Sequence, residues 1–249
     1  MIPDRPYLEA LYRKYNRFEF IHPDPLEFVW RYRSAGDREI AGFIASSLAY
    51  GNVRQILKSV GQVLAPMGER PSSYLRNTPE KKISRTLANF RHRFTTGAEM
   101  AIFLMNIKTT VKKHGSLENC FLKNYRPQDK DISRSLYAFI NEFNAGERAP
   151  TLTPLPERQS SFKRANLYLR WMVRRDSVDP GVWTGIPPSK LIVPLDTHMF
   201  AVAKKLRLTK GKAASMRTAL EITAAFRSFS PNDPVKYDFA LTRPGIQRL

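Results

Sequence analysis

GAEMAIFLMNIKTTVKKHG, residues 97–115, is the stretch that decides the fold class. Ile102, Phe103, Met105, Asn106, Thr109 and Val111 recur at the steps of one helical face, and Gly115 closes the run. Working outward, the same period returns on both sides. Towards the N-terminus, Pro25 to Tyr32 begins a helix behind an Asp24 cap, with proline at the first position. Asp37 is placed to cap a second, carrying Ile40, Phe43, Ile44 and Leu48 before Gly51. Val53, Ile56, Leu57, Val60, Val63 and Leu64 make a third. Towards the C-terminus, Ile132 to Phe143 is helical, as is the segment holding Phe162, Ala165, Leu169, Met172 and Val173. Helices are also expected over about 197–206 and 213–229, with a short one after Asp233-Pro234. Residues 66–80, 145–160 and 176–194 are proline-rich and aperiodic, so they read as connections. Leu191-Ile192-Val193 is the one β-like run and is too short to found a sheet. The chain reads as all-α.

Composition narrows the function. The 249 residues are 42% hydrophobic, which suffices for a sizeable core. No apolar run reaches the ~18–20 residues of a membrane span. The start, MIPDRPYLEALYRKYN, lacks the basic-then-apolar layout of a signal peptide, so a cytoplasmic protein without a membrane partner is expected. A lone cysteine, Cys120, excludes an intramolecular disulfide and a cysteine-rich metal site. His22, His92, His114 and His198 show no ligand spacing, and solvated surface roles are expected for His92 and His114. No metal and no cofactor is expected. Lysine plus arginine number 41 against 22 acidic residues, a net charge of +19. Residues 151–249 alone hold 17 basic and 7 acidic residues. Such an excess favours a polyanionic partner, because each phosphate contact releases condensed counterions.

The segment VPLDTHMF, residues 193–200, places Asp196 at the mouth of a helix. Its carboxylate is suited to capping the free N–H groups of the next turn. A carboxylate fixed there is equally suited to stabilising an oxocarbenium-like sugar cation, or to activating the incoming nucleophile. Capping and catalysis are compatible, since capping fixes the direction of the charge. Tyr168, Arg170, Trp171, Arg174, Arg175 and Trp183 interleave aromatic and basic side chains, with Trp183 the best placed to stack on an extruded base. Lys204, Lys205, Arg207, Lys210 and Lys212 cluster at a helix end, either as a dipole-complementing terminus or as a phosphate-contacting edge.

LDTHMFAVAKKLRL, residues 195–208, resembles the segment of helix-hairpin-helix DNA glycosylases in which a catalytic aspartate precedes Thr-His and an apolar helix. The resemblance implies that role for Asp196. GFIASSLAYGNVRQILKSV, residues 42–60, is similar to the early helix–turn–helix of that fold, whose turn near the lesion pocket would hold Asn52 and Gln55. The family's hairpin is not legible: Gly181 to Ile186 stands in its place without the expected lysine. Ala201 stands where an arginine is often found, and the iron–sulfur cysteines of one branch are absent. The pattern is closer to the archaeal 8-oxoguanine glycosylase (AGOG) branch, whose lysine lies upstream on a helix. Lys163, thirty-three residues before Asp196, matches that position, and Lys190 is the alternative nucleophile. A nucleophilic lysine must be neutral, which calls for burial or neighbouring cations. NLYLRWMVRRD, VPLDTH and DPVKYDFAL also resemble a bacterial family catalogued as a domain of unknown function.

These readings combine into a monomeric two-lobed helical molecule with a central cleft. Residues 38–190 would form one lobe, and 1–37 with 191–249 the other. The leading function is a DNA-repair glycosylase, bifunctional with lyase activity where a lysine attacks, acting on double-stranded DNA at the nucleoid. An oxidised purine is the base class that the resemblance suggests. The rivals are a non-catalytic nucleic-acid-binding protein that keeps the fold, and an interaction module for an acidic protein.

Overall fold

In the computed structural model, which describes residues 3–153 and 160–246, the chain is helical almost throughout. From the N-terminal side come α1 (Arg5–Tyr15), α2 (Glu27–Trp30), α3 (Ala35–Ser47) and α4 (Val53–Leu64). Next are α5 (Pro71–Asn77) and α6 (Glu80–Thr86), then a hairpin of β1 (Arg91–His92) and β2 (Thr95–Thr96). α7 (Gly97–His114), α8 (Leu117–Leu122) and α9 (Ser133–Phe143) follow. Beyond Ser160 lie α10 (Lys163–Val173), α11 (Thr197–Lys205), α12 (Met216–Phe229) and α13 (Asp238–Ile246). The antiparallel hairpin is the only sheet among the described residues, so the all-α class holds. No helix of the described residues is long and apolar enough to cross a membrane.

The chain divides into two compact units. One gathers the described residues of His22–Gln128 and Arg134–Glu157. Its centre is a cluster of phenylalanines: Phe43 lies 5.0 Å from both Phe103 and Phe143, with Phe139 at 5.9 Å, ring centroid to centroid. Each such ring, fully buried, contributes about 1.5–3 kcal/mol. The helix starts are tied into this core by buried acids. Ser34 caps α3 where Asp37 was expected to, accepting from Asp37 N–H at 3.1 Å. Asp37 instead accepts from Ser72 N–H and Oγ–H at 2.8 and 2.6 Å, fastening the start of α5. Burial opposes ionisation of Asp37, but these bonds and that from Ser34 outweigh it and hold its carboxyl below the usual range. Glu39, 4% exposed, accepts from Leu117 and Glu118 N–H at the start of α8.

Several expectations shift here. Residues 66–80 hold α5 and the start of α6 rather than only turns, because Pro71 sits at a first helical position where proline is tolerated. The buried stripe of α7 runs through Met100, Phe103, Leu104 and Ile107. Of the residues expected on it only Phe103 is buried; Ile102, Met105, Asn106, Thr109 and Val111 are not. His92, expected at the surface, is fully buried: it meets Ser59 Oγ at 2.9 Å and the Tyr50 carbonyl at 3.0 Å. His114 is half-buried against Glu142, 3.2 Å away. The proline-rich stretch 145–160 runs partly beyond the description, residues 154–159 lying outside the described residues.

The other unit gathers the described residues of Met1–Ile21, Asp129–Ser133 and Arg158–Leu249. The α13 helix packs against both α1 and α11. Leu191, Ile192 and Val193 are buried but form no strand. They run as extended chain, with Val193 N–H donating to Thr223 Oγ1 at 3.0 Å. Burial on all sides explains the continuous apolar run without a sheet.

Candidate active site

Asp196 caps α11, its Oδ1 accepting from Met199 N–H at 2.8 Å. That leaves Oδ2 pointing elsewhere, and it lies 3.8 Å from Lys163 Nζ. The two residues singled out from a separation of thirty-three positions therefore meet. Both are part-exposed, Lys163 by 28% and Asp196 by 30% of the side chain, so each is fixed yet open to solvent. The contact is built by the segments that enter the two helices. Ser161 Oγ–H donates to the Leu195 carbonyl at 2.8 Å, clamping the residue before Asp196 to the start of α10. Asn166 Nδ2–H donates back to the Ser161 carbonyl at 3.0 Å. Phe162, the residue before Lys163, is buried in the left-handed conformation at φ 49°, strained for a side chain of its size.

Lys163, Asn166 and Arg170 fall at three- and four-residue steps along one face of α10, and burial deepens along it. Asn166 is 1% exposed, and its Oδ1 has no partner among the described residues. Arg170 and Arg174 are 3% exposed and sit in a network of carboxylates. Arg170 pairs with Asp179 at 3.1 Å and with Asp238. Arg174 pairs with Asp176 and Asp233 at 2.8 Å each, and with Asp179. Tyr12 and Asn16 of the N-terminal segment each donate to Asp176 at 3.0 Å. Asp179 is wholly buried, and burial raises its carboxyl although both arginines pull it down. Asp238 is pushed up to about 6, chiefly by burial; Arg170 opposes this, and the charge of Asp196 adds to it. A carboxyl that holds its proton more tightly than usual thus lies within electrostatic reach of the candidate carboxylate.

The remaining expected residues are placed less centrally. Lys190 donates to the Asp129 carbonyl at 2.5 Å, and its own carbonyl accepts from Ile132 N–H at 3.1 Å. That lysine is a strut between two stretches of this unit. Trp183 is 3% exposed, edge-on to Tyr168 at 5.4 Å, and Trp171 is 0% exposed. Of the interleaved aromatic and basic group, only Arg175 is exposed; the rest is core and buried ion network. Lys204, Lys205, Arg207, Lys210 and Lys212 are all exposed around the end of α11. Lys204 reaches the Gly211 carbonyl at 3.3 Å, and the Lys210 N–H is held by Glu221. Asn52 caps α4, accepting from Arg54 N–H at 2.9 Å, and Gln55 is exposed on the same helix; both belong to the first unit described. Among the described residues no His, Cys, Asp or Glu cluster is fit to hold a metal ion.

Sequence reasoning missed Asp238 and Asn166. DPVKYDFAL carried a family likeness, but nothing local marks Asp238 as buried beside an arginine sixty-eight residues away. Residues 24–247 match the family described as Protein of unknown function (DUF2400), and the chain belongs to it. No curated protein and no solved structure matches.

Proposed function

We propose that this DUF2400 member is a DNA-repair glycosylase that excises a damaged base, an oxidised purine being the leading class, and carries lyase activity through Lys163. The observation that supports it is the approach of Lys163 Nζ to Asp196 Oδ2 at 3.8 Å, on two helix starts held in register by Ser161. Asp196 can take the proton of the Lys163 ammonium, freeing the amine to attack the sugar C1′. The C1′–N bond breaks, and the base leaves with its electron pair and takes the proton held by Asp196, which restores the carboxylate. The same carboxylate faces the positive charge that grows on the sugar ring. The proton shed by the newly bonded nitrogen passes to the ring oxygen as the C1′–O4′ bond breaks, leaving an iminium between Lys163 and the sugar, from which β-elimination cuts the strand. A net charge of +19 supplies the attraction to double-stranded DNA, which would associate the protein with the nucleoid.

The test is incubation of the full chain with duplex oligonucleotides that each carry one lesion, scored for strand scission before and after alkali. Scission with one lesion class supports the reading, and intact strands across the panel overturn it. The second reading, a nucleic-acid-binding protein without chemistry, draws on the same ion pair. A half-exposed bridge can tie two helices together with no reaction at all. Salt-dependent binding without base release would assign that reading.

A further inference from the structure

Phe94 is the most exposed large hydrophobic of the described residues, at 74%, and it stands at the tip of the β1–β2 hairpin. His92 pairs with Thr95, so Arg93 and Phe94 are the two turn residues between them. Two-residue hairpin turns favour asparagine or glycine, because a positive φ is needed. Here Arg93 takes that conformation, at φ 51°, against its steric preference. An arginine in a strained turn, its guanidinium 5.5 Å from the ring of a phenylalanine that is otherwise open to solvent, is poor chemistry for a mere connection.

The tip is also rigidly mounted. His92 and Thr95 are 0% exposed. The His92 ring is held by Ser59 and the Tyr50 carbonyl. Tyr50 Oη–H donates to the His92 carbonyl at 3.1 Å, and the same oxygen lies 2.6 Å from Thr95 Oγ1. Thr95 in turn meets Thr151 at 2.6 Å. Gly51, at φ 95°, lets the hairpin close on the α3–α4 turn: a Cβ there would lie 2.8 Å from Arg93 Cδ. The surrounding charge is predominantly basic, with Glu99 at the start of α7, its Oε1 accepting from Thr151 N–H, as the acid beside the hairpin. Residues 81–96 include Lys81, Lys82, Arg85, Arg91 and Arg93 and no acidic residue. The adjoining α4 adds Arg54 and Lys58, again with no acid.

From these observations we infer that the 91–96 hairpin is a nucleic-acid wedge: Phe94 stacks on or between bases while Arg91 and Arg93 hold the flanking phosphates. Aromatic side chains fit base faces irrespective of sequence, and apolar wedges inserted at base steps unstack them. The inference rests on the nucleic-acid half of the proposed function and not on its chemistry.

The experiment uses the full chain and a DNA duplex with one 2-aminopurine, whose fluorescence rises on unstacking. Wild-type protein is expected to raise the signal. Phe94→Ala should abolish that rise and weaken binding by about 5- to 150-fold, as loss of one stacked base does. Phe94→Trp should restore both, with its own emission quenched by the duplex. The Arg91→Gln, Arg93→Gln double variant should lower the slope of log affinity against log salt by about 2, whereas Phe94→Ala leaves the slope alone. Because Phe94 is solvent-exposed, an unchanged melting temperature in Phe94→Ala shows that the fold is intact. An unchanged fluorescence rise and affinity in Phe94→Ala overturns the wedge, as does failure of the wild-type chain to bind duplex. A wedge confirmed without base release leaves this inference standing and the glycosylase reading refuted.

Discussion

Replacing Asp196 by asparagine separates its capping role from its charge. Asparagine caps a helix about as well as aspartate, so the bond from Met199 N–H survives in Asp196→Asn. What goes is the attraction to Lys163, between side chains 28% and 30% exposed. Part-exposed pairs of that kind contribute at most about 1 kcal/mol. For a chain of 249 residues that corresponds to a fall of at most about 4 °C in melting temperature. Asp196→Ala removes the cap as well, adding about 1 kcal/mol of destabilisation. Catalysis should respond on another scale. Charge stabilisation aimed at a transition state is worth about 2.7–4 kcal/mol, or 10²–10³ in rate. Both variants should therefore lose base release about equally, while only the alanine variant loses appreciable stability. Thermal melts and single-turnover base release on the same preparations measure this. A melting temperature that falls by more than about 10 °C in Asp196→Asn, with rate per folded molecule unchanged, would refute the reasoning and leave a capping residue only.

Other outcomes follow from the buried charges. Arg170→Met strands Asp238 and leaves Asp179 to Arg174 alone, and should cost about 3–5 kcal/mol, some 6–20 °C by calorimetry. Asp238 has a folded pKa of about 6, above its ordinary 3.8. The stability it adds is full below that ordinary value and is lost as pH rises through 6. The melting temperature of wild type relative to Asp238→Asn should accordingly fall between about pH 4 and pH 6. Glu142 is held at about 2 by Lys113, with His114 and Lys123 assisting, so its contribution is present above 4.5 and lost on acidification towards 2. Glu142→Gln should flatten that limb of the melting profile. Lys190→Gln should lower stability by removing the bond to Asp129 and leave base release per folded molecule unchanged.

The helices were legible where period and punctuation agreed. The α7 boundaries, Gly97 and Gly115, stand at both ends of the run, and Ser160–Ser161 precede α10 by a residue. Proline hides a helix start where it stands at the first helical position, as Pro71 does, and a pair of two-residue strands, as in the 91–96 hairpin, is too short to show alternation. The meeting of Lys163 with Asp196 could be suspected from resemblance, but its cause, the Ser161–Leu195 clamp, is a tertiary contact. The arginines of α10 misled for a related reason. Sequence shows their charge; only the fold shows that Asp176, Asp179, Asp233 and Asp238 converge on them. A histidine among arginines looks solvated in sequence, whereas strand alternation turns His92 inward.

The most direct measurement of the central claim is borohydride trapping on a lesion-bearing duplex, because a Schiff base is reducible to a stable adduct and a water-derived product is not. Wild-type protein should yield a covalent protein–DNA adduct that migrates as a single retarded band. Lys163→Gln should yield none while binding the duplex nearly as well, one lysine among 41 basic residues adding little to the attraction. An adduct that persists in Lys163→Gln, or no adduct from wild type on any lesion, would contradict the role assigned to Lys163.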